Sequence, residues 1–264
     1  MNYQYIKILW NGLKNAKRNI QHLILISLHR GQRYHCKLCG YSSRDMQEIG
    51  HSPQVLLSLD VVGAGLRKTK CWACGATERE RLIYIYLRDY MHLFDSANKE
   101  ILHIAPEPNL YKFLSTSKHN YICGDICVDN FPSSYNIKAV NILNLNIEDN
   151  RFDLIICNHV FEHIEEDCKA MKELYRVLKP GGIAVLQVPI SMKLKNTYED
   201  SSADTPEKRL AVFGQRDHVR IYGMDYTKRL SEAGFRVEII NIDVQKYSEY
   251  YINPKEALFI CHKD

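Results

Sequence analysis

Hydrophobic residues occur in short runs along the second two-thirds of the chain, and polar turns separate these runs. Each run has the length of a strand and stops at glycine, proline or polar residues, so the runs predict buried strands. The predicted strands are residues 101–105, 121–123, 139–142, 152–157 and 183–188. Runs that stay apolar throughout are typical of parallel strands covered on both faces of a sheet.

Helical periodicity lies between the predicted strands. In residues 165–178 the apolar positions recur every three or four residues, and KPGG at 179–182 ends the helix. A second helix is predicted over 226–233, followed by strands over 235–242 and 257–261, the last open to antiparallel pairing with its neighbour. This alternation of strands and helices predicts an α/β fold.

The chain divides into three segments by pattern. Residues 1–30 form a basic, mildly apolar extension, residues 31–77 hold two cysteine pairs, and residues 78–264 form the α/β domain. We expect the extension to be a surface helix that packs on the main domain. A peripheral contact with an anionic membrane is the alternative, because a basic amphipathic segment suits such a surface. No apolar run approaches the roughly 20 residues needed to cross a bilayer.

Composition is ordinary for a globular domain with a small added module. Of 264 residues, 45% are hydrophobic and 25% charged, and the net charge of +4 neither demands nor excludes a nucleic-acid partner. The nine cysteines are an odd number and no secretory signal precedes them. This argues against a disulfide framework and leads us to expect a reducing, cytoplasmic location.

Two CxxCG motifs, at 36–40 and 71–75, carry the clearest chemistry. Two residues between thiols let one tight turn present both sulfurs to one ion, and the glycine permits a left-handed backbone. The motifs predict a zinc-ribbon-like module with structural Zn²⁺ rather than a redox pair, and four thiolates leave no open catalytic position. His35 and His51 lie nearby in sequence and are substitute ligands if one of the cysteines does not bind the ion. The predicted ligands are Cys36, Cys39, Cys71 and Cys74.

Two further motifs, FDLIICNHVFEHI at 152–164 and LYRVLKPGG at 174–182, resemble class I, type 11-like, S-adenosylmethionine-dependent methyltransferases. In that family the first motif is the fourth strand with the loop beneath the cofactor, and the second leads to the fifth strand. The resemblance implies a Rossmann-like, seven-stranded methyltransferase sheet with helices on both faces. It also implies S-adenosylmethionine as the cofactor.

The same resemblance implies the cofactor contacts. Asp125, at the end of the second strand, is expected to bind the ribose hydroxyls, and Asn141 the adenine amino group. The first loop departs from the family's glycine-rich pattern, since it reads HIAPEP at 103–108; if that departure abolishes cofactor binding, the chain is a non-catalytic zinc-dependent scaffold. The expected cofactor-binding residues are His103, Ala105, Pro106, Glu107, Asp125, Asn141, Ile142, Asn158 and His159.

Residues 213–223, FGQRDHVRIYG, are dense in polar groups and follow the fifth strand, where the family places substrate-binding insertions. A general base assists methyl transfer to a hydroxyl, and histidine suits this role near neutral pH. We expect His218 to be the base, Asp217 to orient it or to compete for the role, and His159 to be a second candidate. The expected substrate-binding residues are Arg216, Arg220 and Tyr222, the arginines for a phosphate or carboxylate.

The combination of cysteine module, first loop and polar segment resembles bacterial methyltransferases of surface-polysaccharide pathways. It implies O-methylation of a sugar or glycan-pathway intermediate. RNA methylation, with the zinc module recognising RNA, is the alternative. The basic residues that would serve it are Lys68, Lys70, Arg79, Arg81 and Arg88.

Overall fold

A computed structural model describes the backbone of residues 3–264, and the side chains of residue 14 and residues 16–264. The helices are α1 (Tyr3–Leu28), α2 (Gln54–Ser58), α3 (Glu78–Ile85), α4 (Pro108–Ser115), α5 (Asp167–Val177), α6 (Pro206–Phe213) and α7 (Tyr226–Glu232). The strands are β1 (Arg30–Cys36), β2 (Tyr41–Ser43), β3 (Gln47–Ile49), β4 (Val61–Val62), β5 (Arg67–Lys70), β6 (Glu100–Ile104), β7 (Asn120–Asp125), β8 (Ile137–Ala139), β9 (Phe152–Asn158), β10 (Leu178–Gln187), β11 (Ile190–Ser191), β12 (Tyr198–Glu199), β13 (Arg220–Ile221), β14 (Arg236–Ile240) and β15 (Leu258–His262).

A seven-stranded sheet forms the centre of the molecule, in the order β14-β15-β10-β9-β6-β7-β8. The strands from β10 to β8 are parallel, while β15 runs antiparallel to both β10 and β14. This arrangement confirms the predicted α/β fold with a Rossmann-like methyltransferase sheet. The strand order reverses at β6, where open α/β sheets bind ligands beyond the carboxyl ends of their strands.

Side chains of β9 alternate between two apolar layers, as the period of a strand requires. Ile155 and Cys157 face the layer that contains α5, and Leu154 and Ile156 face the layer that contains α3 and α4. The sheet is therefore covered on both faces, which explains why its central strands read as continuous apolar runs.

Two predicted strand boundaries differ from the structure by three residues or more. The third strand was expected over 139–142, but β8 ends at Ala139. Asn141 Oδ1 accepts from the Leu143 amide at 2.9 Å, and this local turn ends the strand early. The fifth strand was expected to begin at residue 183, but β10 begins at Leu178. Its register with β9 shifts between Leu178 and Ile183, where the KPGG turn lies.

The segment 50–66 crosses from the cysteine module to the carboxyl edge of the sheet. Its β4 pairs antiparallel with β11, and Leu59 O accepts from Ser191 Oγ at 2.6 Å. The rest of the module forms two ribbons, β1 with β2 and β3 with β5. Residues 31–77 are thus joined to the α/β part along this segment.

The described side chains of helix α1 include one that contacts the cysteine module, and the packing of the helix on the main domain stays a prediction. His22 Nε2 lies 2.8 Å from Trp72 O, and Tyr41 donates its hydroxyl to Ile26 O. Residues 1 and 2 of the predicted extension lie outside the described residues. None of the helices within residues 3–264 combines the length and apolarity that crossing a membrane requires.

Candidate active site and cysteine cluster

The four predicted zinc ligands come together at one point. Their sulfurs all lie within 4.8 Å of one another, and two pairs, Cys36 with Cys74 and Cys39 with Cys71, are each separated by 3.7 Å. Two thiolates bound to one tetrahedral zinc at ~2.3 Å lie about 3.8 Å apart, so the cluster is compatible with zinc.

Each cysteine pair is held by the turn that its CxxCG sequence predicts. Gly40 N donates to Cys36 O at 2.7 Å, and Gly75 N donates to Cys71 O at 2.9 Å. Both glycines are left-handed, with φ of +74° and +76°. Nothing crowds a Cβ at Gly40, so the backbone conformation alone explains glycine there.

The predicted cofactor loop follows β6 at the switch point of the sheet. Ala105 has a φ of +49°, a left-handed conformation that favours glycine, and its amide donates to Gly124 O at 2.9 Å. The loop therefore keeps the backbone course that a glycine would allow, although an alanine occupies the position. Pro106 is buried behind it.

Glu107 is the centre of a buried polar network across the ends of β6 and β9. One of its oxygens lies 2.9 Å from His103 Nε2, Asn158 Nδ2 donates to the other at 3.2 Å, and Arg79 Nε lies 3.3 Å from it. Burial alone would raise the pKa of Glu107, but the hydrogen bond with His103 and the charges of His103 and Arg79 hold that pKa below its usual value. Glu107 is thus a paired carboxylate.

The ends of β7 and β8 hold the other predicted cofactor residues. Asp125 Oδ1 accepts from the Cys127 amide at 2.7 Å, which leaves Oδ2 for a ligand, and the Asp125 carbonyl accepts from Val140 N. A Cβ on Gly124 would lie 2.4 Å from Val140, so glycine lets the two strand ends meet. Asn141 is exposed beside them and Ile142 is buried.

A pocket of about 240 Å³ lies beyond the end of β9, between this edge and the segment 50–66. Its walls come from residues far apart in sequence, so it has no continuous motif. The lining residues on which the later argument rests are His51, Gly63, Arg67, Arg79, His159, Glu162, His163 and His218.

Buried polar atoms without a hydrogen-bond partner gather at this pocket. Asn158 Oδ1, His159 Nε2 and Glu162 Oε2 are among them within the described side chains. Buried polar groups are normally paired, so such a concentration marks a place where a ligand completes the bonding. A Cβ on Gly63 would lie 3.3 Å from the His159 ring, so glycine leaves room there.

Burial in the pocket favours the neutral form of its titratable side chains. Burial raises the pKa of Glu162 to about 8. Burial, followed by the charge of His163, lowers the pKa of His218 to about 4. Burial and the nearby Arg79 and Arg67 hold the pKa of His159 well below its usual value. Both imidazoles therefore have a free lone pair at neutral pH.

The structure gives the predicted substrate-binding residues other partners. Arg216 is exposed and pairs with Glu207. Arg220 is buried and donates to the backbone carbonyls of Phe161, Ile164 and Glu165. Tyr222 is fully buried and donates to Asp167 Oδ2 at 2.7 Å. Their contact with substrate stays a prediction.

Of the three predicted catalytic residues, two line the pocket and the third contacts a different histidine from the one predicted. Asp217 is largely exposed and lies 3.2 Å from His163 Nδ1, so its nearest imidazole is His163 rather than His218 as predicted. His159 and His218 both line the pocket. Sequence reasoning missed Glu162 and Arg67 as pocket residues, because only the fold brings them together.

The basic residues proposed for RNA do not form one exposed patch. Arg81 is fully buried and donates to Thr69 O, Ala76 O and Tyr251 O. Arg88 pairs with Asp89, and Arg79 with Glu107. Arg81 instead fastens the cysteine module to the α/β part.

Two curated proteins are each similar to part of this chain. The chain is 32% identical over 106 residues to a protein of Encephalitozoon cuniculi assigned as a methyltransferase, covering 37% of this chain and 50% of that one. It is 28% identical over 102 residues to a protein of Mycolicibacterium smegmatis assigned as an S-adenosylmethionine-dependent methyltransferase, covering 39% and 35%. The chain thus spans half or less of the length of these curated relatives.

Among solved structures, an S-adenosylmethionine-dependent methyltransferase from Archaeoglobus fulgidus is similar with 16% identity and a TM-score of 0.47, over 71% of this chain and 95% of that one. The family model described as a methyltransferase domain matches residues 92–186, which include β6, β7, β9 and α5. Residues 92–186 therefore match a methyltransferase domain, and both curated relatives of this chain are assigned as methyltransferases.

Proposed function

We propose that this protein is an S-adenosylmethionine-dependent methyltransferase that methylates a hydroxyl of a sugar or glycan-pathway intermediate. The observation that carries the proposal is the polar carboxyl edge of β6, β7 and β9 inside the matched segment 92–186. The cofactor, when bound, supplies an electrophilic methyl group on a sulfonium. The protein's part is to bind, to orient and to accept a proton.

The residues at the edge fit such a cofactor. Asp125 offers its Oδ2 to ribose hydroxyls, and the exposed Asn141 offers its amide to the adenine beside the buried Ile142. Asn158 Oδ1 is buried without a partner, so a donor from a ligand would complete its bonding. Glu107, already paired with Arg79 and His103, orients Asn158 rather than standing free for the cofactor's ammonium group.

His159 is the proton acceptor that we favour on this geometry. Its Nδ1 lies 3.3 Å from Glu162 Oε1, which orients the ring, and its Nε2 is buried and unpartnered. A positioned base accelerates such a transfer by about 10²–10⁴-fold. His159 also follows directly on Asn158, so acceptor and cofactor residues share one strand end.

The acceptor pocket suits a compact, polar and anionic molecule. Arg67 and Arg79 reach it from the cysteine module and from α3. Each pairs with one carboxylate, and the five N–H donors of a guanidinium group allow it to bind a phosphate or carboxylate in addition. A sugar linked to a phosphate meets these conditions. RNA is disfavoured, because Arg81 is fully buried and Arg88 pairs with Asp89.

The first experiment is calorimetric titration of the zinc-loaded chain with S-adenosylmethionine and with its product, S-adenosylhomocysteine. We expect binding that Asp125→Ala weakens by about tenfold or more, because hydrogen bonds to a charged group contribute about 1.5–3 kcal/mol. Asp129→Ala, an exposed aspartate on the same loop, is the control. A folded protein that binds neither compound would instead be the zinc-dependent scaffold.

The acceptor is tested separately, by transfer of labelled methyl from S-adenosylmethionine to nucleotide-linked sugars and to RNA. We expect label in the sugars and a loss of turnover, with cofactor affinity retained, in His159→Asn. Labelled RNA, in a reaction that added salt suppresses, would contradict the sugar assignment in favour of RNA.

A further inference from the structure

A second group of potential metal ligands lies in the pocket, separate from the cysteine cluster. One ligand atom each from Glu162, His163 and His218 lies within 4.8 Å of the others. Glu162 and His218 are buried, and the rings of the two histidines meet edge to face with their centroids 4.7 Å apart. Small side-chain rotations would bring all three within reach of one ion, since metal–nitrogen and metal–oxygen bonds are about 2.1 Å.

The carboxylate of Glu162 has one oxygen to spare. Its Oε1 lies 3.3 Å from His159 Nδ1, while its Oε2 is buried and has no hydrogen-bond partner. Glu162 itself is only 1% exposed, so water does not compensate for the missing bond. A buried, unpaired carboxylate oxygen is costly unless a proton or a cation accompanies it.

Surrounding groups hold the ligands as they do in known metal sites. Metal-binding histidines commonly present their second nitrogen to a carboxylate, and metal-binding carboxylates are themselves hydrogen-bonded. Here Asp217 lies 3.2 Å from His163 Nδ1, which leaves Nε2 for a metal. His159 takes the corresponding place beside Glu162 Oε1.

The neighbouring positive charges are already balanced. Arg67 pairs with Glu78 and Arg79 with Glu107, and both carboxylates are buried. The two guanidinium groups therefore oppose a cation in the pocket less than unpaired arginines would. Asp217 contributes a further negative charge at the rim.

We propose that Glu162, His163 and His218 form a second metal site that binds a first-row divalent transition-metal ion at the acceptor pocket. Two imidazoles and one carboxylate suit zinc, manganese, iron or cobalt, whereas magnesium and calcium prefer oxygen donors only. Three protein ligands leave coordination positions open to a small molecule. The site thus differs from the four-cysteine cluster in donor type and in openness.

Cobalt is the probe that distinguishes the two sites. The full chain, with zinc in its cysteine cluster, is titrated with Co²⁺ by calorimetry and by absorption spectroscopy. We expect one equivalent of Co²⁺ to bind with d–d bands only, because the thiolate charge-transfer band appears only when cobalt enters the cysteine cluster. The Co²⁺ titration requires neither methyl donor nor acceptor, so its outcome does not depend on whether the proposed function is correct.

Glu162→Gln and His218→Ala are expected to weaken Co²⁺ binding by at least about tenfold. His51→Ala is the matched control, because His51 lines the same pocket but lies outside the cluster. Thermal melting and zinc content check folding, and His163→Asn, at a partly exposed position, replaces any variant that fails to fold. Absence of Co²⁺ binding in the wild type, or wild-type affinity in the cluster variants, would overturn the proposal.

Discussion

At the scale of single residues, substitution of Tyr222 distinguishes a structural role from the substrate-binding role that its sequence context predicts. Its hydroxyl donates to Asp167, a carboxylate only 2% exposed that also pairs with Arg229. We expect Tyr222→Phe to lower the free energy of unfolding by about 1–3 kcal/mol, because Asp167 loses a buried partner. Urea denaturation measures this, and the KM values for cofactor and acceptor should not change.

The matched control is Tyr198→Phe, whose exposed hydroxyl lies 3.4 Å from Asp200. Substitutions at such surface positions usually change stability by less than about 0.5 kcal/mol. Unchanged stability in Tyr222→Phe together with a raised KM for the acceptor would restore the substrate-binding role.

Sequence reasoning located the residues that follow strands but not their partners. Asp125 and Asn158 were predictable, because an apolar run fixes where a strand ends and which edge its last residue reaches. The pairing of Glu107 with Arg79 was not, since it joins the loop after β6 to helix α3, which lies far from it in sequence. The burial of Arg220 and Tyr222 was not predictable either, because a polar motif reads the same in sequence whether it faces solvent or the core.

At the scale of elements, the two CxxCG turns were predicted with their geometry. Two residues between thiols and a following left-handed glycine leave little freedom, so Cys36, Cys39, Cys71 and Cys74 converge as expected. The boundaries of β8 and β10 were harder to predict, because a side-chain turn at Asn141 and a register irregularity after Leu178 override the apolar pattern.

We expect Cys71→Ser to release the zinc that we propose for the cluster and to unfold residues 31–77. Structural zinc contributes its binding free energy to folding, about 10–16 kcal/mol in zinc-finger peptides, so losing one ligand is severe. Zinc content and limited proteolysis between residues 31 and 77 measure the effect.

Cys127→Ser serves as control, because Cys127 is exposed and lies outside the cluster. Because the segment 50–66 carries one wall of the pocket, Cys71→Ser should also reduce Co²⁺ binding at Glu162. Full zinc occupancy with the proteolysis pattern of the wild type would contradict a structural role.

At the scale of the whole molecule, the cysteine module and the sheet share one site. Segment 50–66 pairs with β11 through β4 and brings Gly63 beside His159. This docking could not be predicted, because β4 and its partner β11 lie far apart in sequence and neither strand carries a motif that identifies the other. The division into three segments stays a prediction, while the pocket lies where two of those segments meet.

The exposed face of helix α1 leads us to predict that the molecule attaches to an anionic membrane surface. Ile20, Leu23, Ile24 and Leu28 recur at helical spacing and are exposed, and Lys17 and Arg18 lie on the same helix. Apolar side chains beside basic ones suit the boundary between headgroups and acyl chains. We expect the chain to sediment with vesicles of phosphatidylcholine and phosphatidylserine, less so at high salt, because screening weakens the electrostatic part.

The double substitution Leu23→Ser and Ile24→Ser should reduce this binding at least tenfold, since each buried aliphatic side chain contributes about 1.5–3 kcal/mol. Leu57→Ser removes an equally exposed leucine away from α1 and should leave vesicle binding unchanged. Contact between His22 and Trp72 fixes the C-terminal half of α1 to the cysteine module, so an attached helix would hold the pocket at a set distance from the lipid surface. Equal sedimentation of the double variant and the wild type would show that α1 does not mediate membrane attachment.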